Sequence, residues 1–153
     1  PFISNGNFYE NNPSADDSNI EFQASIDSGS NYNLTITSTC FLAQHSEDDG
    51  TANIGYYAAR DQAQATTFQD FMTDLGNAND ECGAGYLHLF DPSNTTFVKH
   101  FIAQNNIIYG GGDRDFNYHY AGYFNTTSAI NAFQFKPASG TIDAGTFKLY
   151  GVN

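Results

Sequence analysis

Along most of the chain, apolar side chains recur at every second position. In "SNIEFQASI", Ile20, Phe22, Ala24 and Ile26 share one face of an extended segment, the period of a half-buried strand. The turn "DSGS" follows, and "NYNLTITSTCFLAQ" resumes the alternation with Tyr32, Leu34, Ile36, Cys40 and Leu42. "HSEDDG" closes that run with polar residues and Gly50, and "NIGYYAARD" starts a third strand. The period then changes once. In "TTFQDFMTDLG", Phe68, Phe71, Met72 and Leu75 stand at i, i+3, i+4 and i+7, with Thr67 as a cap, Asp70 in the first turn and Gly76 as a stop. That spacing predicts a short helix, followed by a loop, "GNANDECGAG". Alternation returns in "GYLHLFDP", "TTFVKHFIAQ", "DFNYHYAGYF", "INAFQFKP" and "GTFKLYGV", separated by "DPSN", "NNIIYGGGD", "NTTS" and "PASGTIDA". Each break holds the Gly, Pro, Asn or Asp that turns require. The prediction is one domain over residues 1–153, an all-β jelly-roll β-sandwich of about eight antiparallel strands with one short helix.

Composition supports this class. Aromatic residues supply much of the core material, with 14 Phe and 10 Tyr but no Trp, and 14 Gly serve the turns. The formal charge of −12, from 17 acids against 5 bases, leaves no basic patch for nucleic acid or for an anionic membrane surface. No apolar run is long enough for a transmembrane helix. Cys40 reads as a buried thiol in a strand, while pairing with Cys82 is not decided by spacing. Residues 1–17, "PFISNGNFYENNPSADD", combine turn signals with Phe2, Ile3, Phe8 and Tyr9. They read as an arm that packs on a neighbouring subunit or on a partner protein. Pro1 is compatible with removal of an initiator Met and equally with a processed domain.

Three blocks near the C-terminus carry a resemblance: "LHLFDPSNTTFVKHF", "AGYFNTTSAINAFQF" and "SGTIDAGTFKLYGV". The last two present Ile130, Asn131, Ala132, Phe133 and Phe135, then Ser139, Gly140, Ile142, Gly145, Phe147, Leu149, Tyr150, Gly151 and Val152. This arrangement, from Leu87 to Val152, resembles small jelly-roll virion proteins of tailed bacteriophages. The resemblance implies a structural protein on the virion surface, assembled in the host cytoplasm. Its leading role would be a capsid decoration or cement protein that binds the major capsid protein as a homotrimer. The alternatives are the receptor- or glycan-binding tip of a tail fibre, or a secreted lectin-like module, for which the sequons at Asn33, Asn94 and Asn125 are the support. The residues agree physically: Gly140 and Gly145 allow a tight connection, and Phe133, Phe135, Phe147 and Leu149 would fill facing core layers.

Candidate chemistry is sparse. His45, His88, His100 and His119 are the only histidines, and no GxSxG-type nucleophile turn accompanies them. The reading is that the chain is not an enzyme and needs no cofactor. Carboxylates cluster in predicted loops, where Glu47, Asp48, Asp49, Asp113 and Asp115 are weak calcium candidates without EF-hand spacing. The stretch "GGGDRDFNYHYAGYFN" interleaves rings with planar polar groups. Asn117, Tyr118, His119, Tyr120, Tyr123 and Phe124 are therefore candidates for a subunit interface or for glycan contact, while the same alternation also describes a strand with one face in an aromatic core and one face wet; Tyr56, Tyr57 and Tyr109 join the candidates because the aromatic content exceeds what one core of this size needs.

Overall fold

The computed structural model describes residues 15–151 and the backbone of residues 8–11. Ten strands form among these residues: β1 Phe8–Asn11, β2 Ser18–Ser25, β3 Ile36–Ser46, β4 Ala52–Tyr56, β5 Gln69–Leu75, β6 Cys82–Leu89, β7 Lys99–Ile108, β8 Arg114–Phe124, β9 Ala132–Pro137 and β10 Gly145–Phe147. A single 3-10 turn, Ala58–Arg60, follows β4. The strands make two antiparallel sheets, a seven-stranded one in the order β10-β1-β6-β7-β8-β3-β4 and a three-stranded one in the order β5-β2-β9. The all-β sandwich expected from the alternation is thus what forms, with ten strands in place of about eight. The chain leaves the large sheet three times to lay down β2, β5 and β9, and each time it returns.

The core lies between the sheets. Phe22 of β2 stands at its centre, with its ring 5.1 Å from Phe101, 6.3 Å from Phe124 and 5.5 Å from Phe133. The inward face of β8 supplies Phe116, Tyr118, Tyr120 and Phe124, and β3 adds Ile36 and Cys40. Burial pushes the Cys40 thiol up to about 12, so it behaves as a small apolar side chain. Both cysteines are free. Buried polar groups are tied across the layers: Tyr120 and Thr73 hydroxyls meet at 2.9 Å, Ser38 donates to Gln69 Oε1 at 2.6 Å, and Asn105 Nδ2 donates to the Phe71 carbonyl.

Several expectations are corrected. Thr67–Gly76 is not a helix; Gln69–Leu75 is strand β5. Gln69, Phe71, Thr73 and Leu75 alternate inward, and Met72 is buried as well. The register between β2 and β5 slips twice, and Asp74 has φ of 60°. A bulged strand brings two successive residues to one face, which imitates the i, i+3, i+4, i+7 spacing. The expected break "NNIIYGGGD" begins too early, because Asn105–Ile108 continue β7 with Asn105 turned inward. Cys82–Gly85, read as loop, opens β6. At the other end β10 stops at Phe147, and Leu149 is 79% exposed rather than buried. Phe147, placed in the core by the alternation, is 44% exposed, although its ring lies 5.6 Å from Phe135 across the sheets. Ile26 is likewise exposed. Gly140 does adopt positive φ, at 70°. Of the predicted arm, Phe8–Asn11 pairs with β6 on one side and β10 on the other, and residues 1–7 and 12–14 lie outside the described residues.

Candidate functional site

The outer face of the large sheet is built by the side chains that alternate away from the core. Register aligns Tyr86, Gln104, His119, Phe41 and Tyr56 in one row across β6, β7, β8, β3 and β4. The next row holds Ala84, Asn106, Asn117, Ala43 and Ile54. Neighbours in these rows interlock. Phe41 and His119 stack at 4.7 Å, Tyr86 donates to Gln104 Oε1 at 2.8 Å, and Gln104 Nε2 donates to Asn117 Oδ1 at 3.2 Å. Ile54 and Tyr56 are more than 60% exposed, and Phe41, Phe90 and Ile102 are exposed with them. All four histidines stand on this face, since His45, His88, His100 and His119 occupy outward register positions. It is a preformed, mixed aromatic and carboxamide surface.

The residues singled out from the sequence divide between the two faces. Tyr118, Tyr120 and Phe124 are buried in the core and cannot touch a partner. Tyr57 stacks on Tyr118 at 6.1 Å, and Tyr109 stacks on Phe116 at 5.1 Å. Both line the core margin. Tyr56, Asn117, His119 and Tyr123 remain on the outer face, with Tyr123 beside His100. The two loops that carry the carboxylates do meet, because the Glu47 backbone N–H donates to the Asp113 backbone carbonyl at 2.9 Å. Their side chains are engaged otherwise: Asp48 accepts from Ser46 and Gly50, and Asp49 lies 3.2 Å from His45. Among the described residues no group of three or more His, Cys, Asp or Glu is placed to hold a metal ion.

A second site lies over the three-stranded sheet. Glu21 of β2 sits directly between Asp70 of β5 and Lys136 of β9. Residues 59–62, Thr67 and Phe68 stand beside them, and together they form an open polar cleft of about 300 Å³ lined also by Asn19, Glu21 and Asp70. Arg60 reaches over from the 3-10 turn to Asp70 at 3.5 Å and Asp74 at 2.8 Å. Lys136 Nζ pairs with Glu21 at 3.1 Å and covers the Phe68 ring at 4.4 Å. Burial, with Glu21 opposite, pushes the Asp70 carboxyl up to about 6, against the pull of Arg60 and Asn19. Gln69 braces the wall, its amide donating to the Arg60 carbonyl at 3.0 Å. The sequence reading missed this site. A helix places Asp70 on a solvated turn, whereas the strand sets it opposite Glu21, some fifty positions away along the chain.

Fold and surface together define an antiparallel β-sandwich with an open aromatic sheet face and a polar cleft on the opposite layer. Comparison with protein families, with characterised proteins and with solved structures returned no match.

Proposed function

We propose that this chain is a structural protein of a bacteriophage virion, a capsid decoration or cement protein. It docks on the shell through the outer face of the seven-stranded sheet and assembles as a homotrimer. The observation that carries this reading is the exposure of Phe41, Ile54, Tyr56, Phe90 and Ile102 on one rigid sheet face, interleaved with hydrogen-bonded carboxamides. Protein interfaces use such a mixture: aromatic and aliphatic contact area at the centre, with few charges. The resemblance of the Leu87–Val152 blocks to phage virion proteins supports the same assignment. The net charge of −12 suits a protein that must stay dispersed until it meets the particle.

The test is imaging of intact particles carrying a labelled copy, together with Ile54→Asp and Ile102→Asp. Both side chains are exposed, so the fold should tolerate the charge while the interface should not. Label over the capsid, lost in both variants, is the expected result. Label confined to the tail would instead favour the receptor-binding tip, and no particle association at all would end the virion reading.

A further inference from the structure

The seven-stranded sheet ends in β4 on one side and β10 on the other. Every residue of β4 is exposed, Ile54 and Tyr56 among them. Where its backbone groups point follows from the bonds on either side of it. Tyr57 N–H donates to the Cys40 carbonyl and Ser46 N–H to the Thr51 carbonyl, both at 2.9 Å. Bonded and non-bonded positions alternate along an antiparallel pair, so Asn53 and Gly55 turn their N–H and C=O toward β3. Ala52, Ile54 and Tyr56 turn theirs away from it, where no strand among the described residues receives them. Sheet edges are ordinarily guarded by charge, proline, irregularity or shortness. β5 has Asp70, Asp74 and two slips of register, and β9 ends in Lys136 and Pro137. β4 reads "ANIGY" and has none of these. Its side away from Ile54 is open too, since a Cβ added at Gly55 would meet nothing within 4 Å.

The opposite edge supplies a segment that fits. β10 covers only Gly145–Phe147, and residues 148–151 run on outside any strand. Leu149, at 79%, is the most exposed large apolar side chain among the described residues, and Tyr150 is exposed beside it. Residues 144–151 contain no acid and one cation, Lys148, on a chain of net charge −12. β4 is uncharged, and the turn leading into it carries Glu47, Asp48 and Asp49. This segment therefore approaches that edge without the repulsion that most of the surface would bring, and Lys148 meets an acidic flank. We infer that residues 148–151 of one copy add as a strand to β4 of the next, their backbone pairing with Ala52, Ile54 and Tyr56 and Leu149 packing beside Ile54. This contact, which rests on the homotrimer reading above, is the one that joins its copies. A three-fold ring needs a heterologous interface, in which two different patches of each copy meet. The two ends of one sheet are such a pair. Joining β4 to a second β4 would close a dimer instead and leave Leu149 and Tyr150 in water.

The experiment cross-links single cysteines placed on the full chain. Cys40 is buried, and Cys82→Ser removes the half-buried thiol. In that background Ile54→Cys, Leu149→Cys and the outer-face control Ile102→Cys are treated with a short bismaleimide at high salt. All three replace exposed side chains, and dispersed amide spectra verify the fold. Ile54→Cys and Leu149→Cys should each stay a single chain alone, and a mixture of the two should give cross-linked pairs. The chain carrying both should give products of up to three chains and no more. Ile102→Cys mixed with Leu149→Cys should give no pair. Self-linking of Ile54→Cys would overturn the proposal in favour of a two-fold β4 contact. Self-linking of Leu149→Cys, or equal linking to Ile102→Cys, would overturn it as random encounter. A ladder past three chains would overturn the closed ring, because heterologous contacts that do not close form filaments. A trimer in light scattering without the mixed pair would overturn this contact and leave the homotrimer standing. A monomer without the pair would overturn both.

Discussion

Asp70 shows how one side chain can couple the cleft to the stability of the fold. Its carboxyl is held near 6 in the folded protein, against 3.8 ordinarily, chiefly by burial and then by the opposing Glu21. Between those two values the folded chain keeps a proton that the unfolded chain has released. Stability contributed by the protonated carboxyl is therefore complete below about pH 4 and falls as pH rises toward 6, by about 2–3 kcal/mol in all. Asp70→Asn removes this dependence. The stability of the variant relative to the parent should rise by that amount between pH 4 and pH 7, measured by urea unfolding at intervals across the range. A constant difference would show that Asp70 titrates as an ordinary surface carboxyl. Only Asp70→Asn is compared with the parent, so slopes from the other carboxylates cancel.

At the scale of the element, the β6–β7 pair sets how the large sheet is built. Gly85 lies opposite Asn105, where an added Cβ would stand 2.6 Å from the Asn105 Cβ and 2.7 Å from the Gln104 carbonyl oxygen. Asn105 cannot retreat, because its amide is anchored to Phe71 in the other sheet. Gly85→Ala should therefore destabilise by more than about 2 kcal/mol, as overpacking against backbone does, and thermal unfolding would register it. A loss below about 0.5 kcal/mol would mean that the two strands separate easily. The same pair shows what local pattern can miss. "ECGAG" has the composition of a loop, yet its small residues form a strand because β7 passes so closely. Likewise β5 was hidden, since its bulge gives an apolar spacing that a helix would share. The alternating strands β3, β7 and β8 were legible because each has one wetter and one buried face, and that asymmetry is written in period two; β2 was legible from its polar and apolar alternation although Gln23 and Ser25 are buried too.

For the whole molecule, the proposed assembly has a physical signature. Each copy carries −12, so association between copies must overcome mutual repulsion, and added salt should favour it by screening. Light scattering on purified protein at rising ionic strength should show a shift from monomer toward trimer. A monomer at micromolar concentration in high salt would sink the oligomer. The sequence by itself determined the all-β class, the inward positions of Ile20, Phe22, Ile36 and Cys40, and the acidic character, because periodicity and charge are local or additive properties. It also marked the Tyr118 stretch as a strand with a wet side. Only the tertiary structure decided that Tyr118, Tyr120 and Phe124 face the core, that Leu149 lies outside it, and that Glu21, Arg60 and Asp70 converge on one cleft. Those outcomes depend on which strands become neighbours, and strand pairing is fixed by contacts between residues far apart in the chain, which no window along the sequence contains.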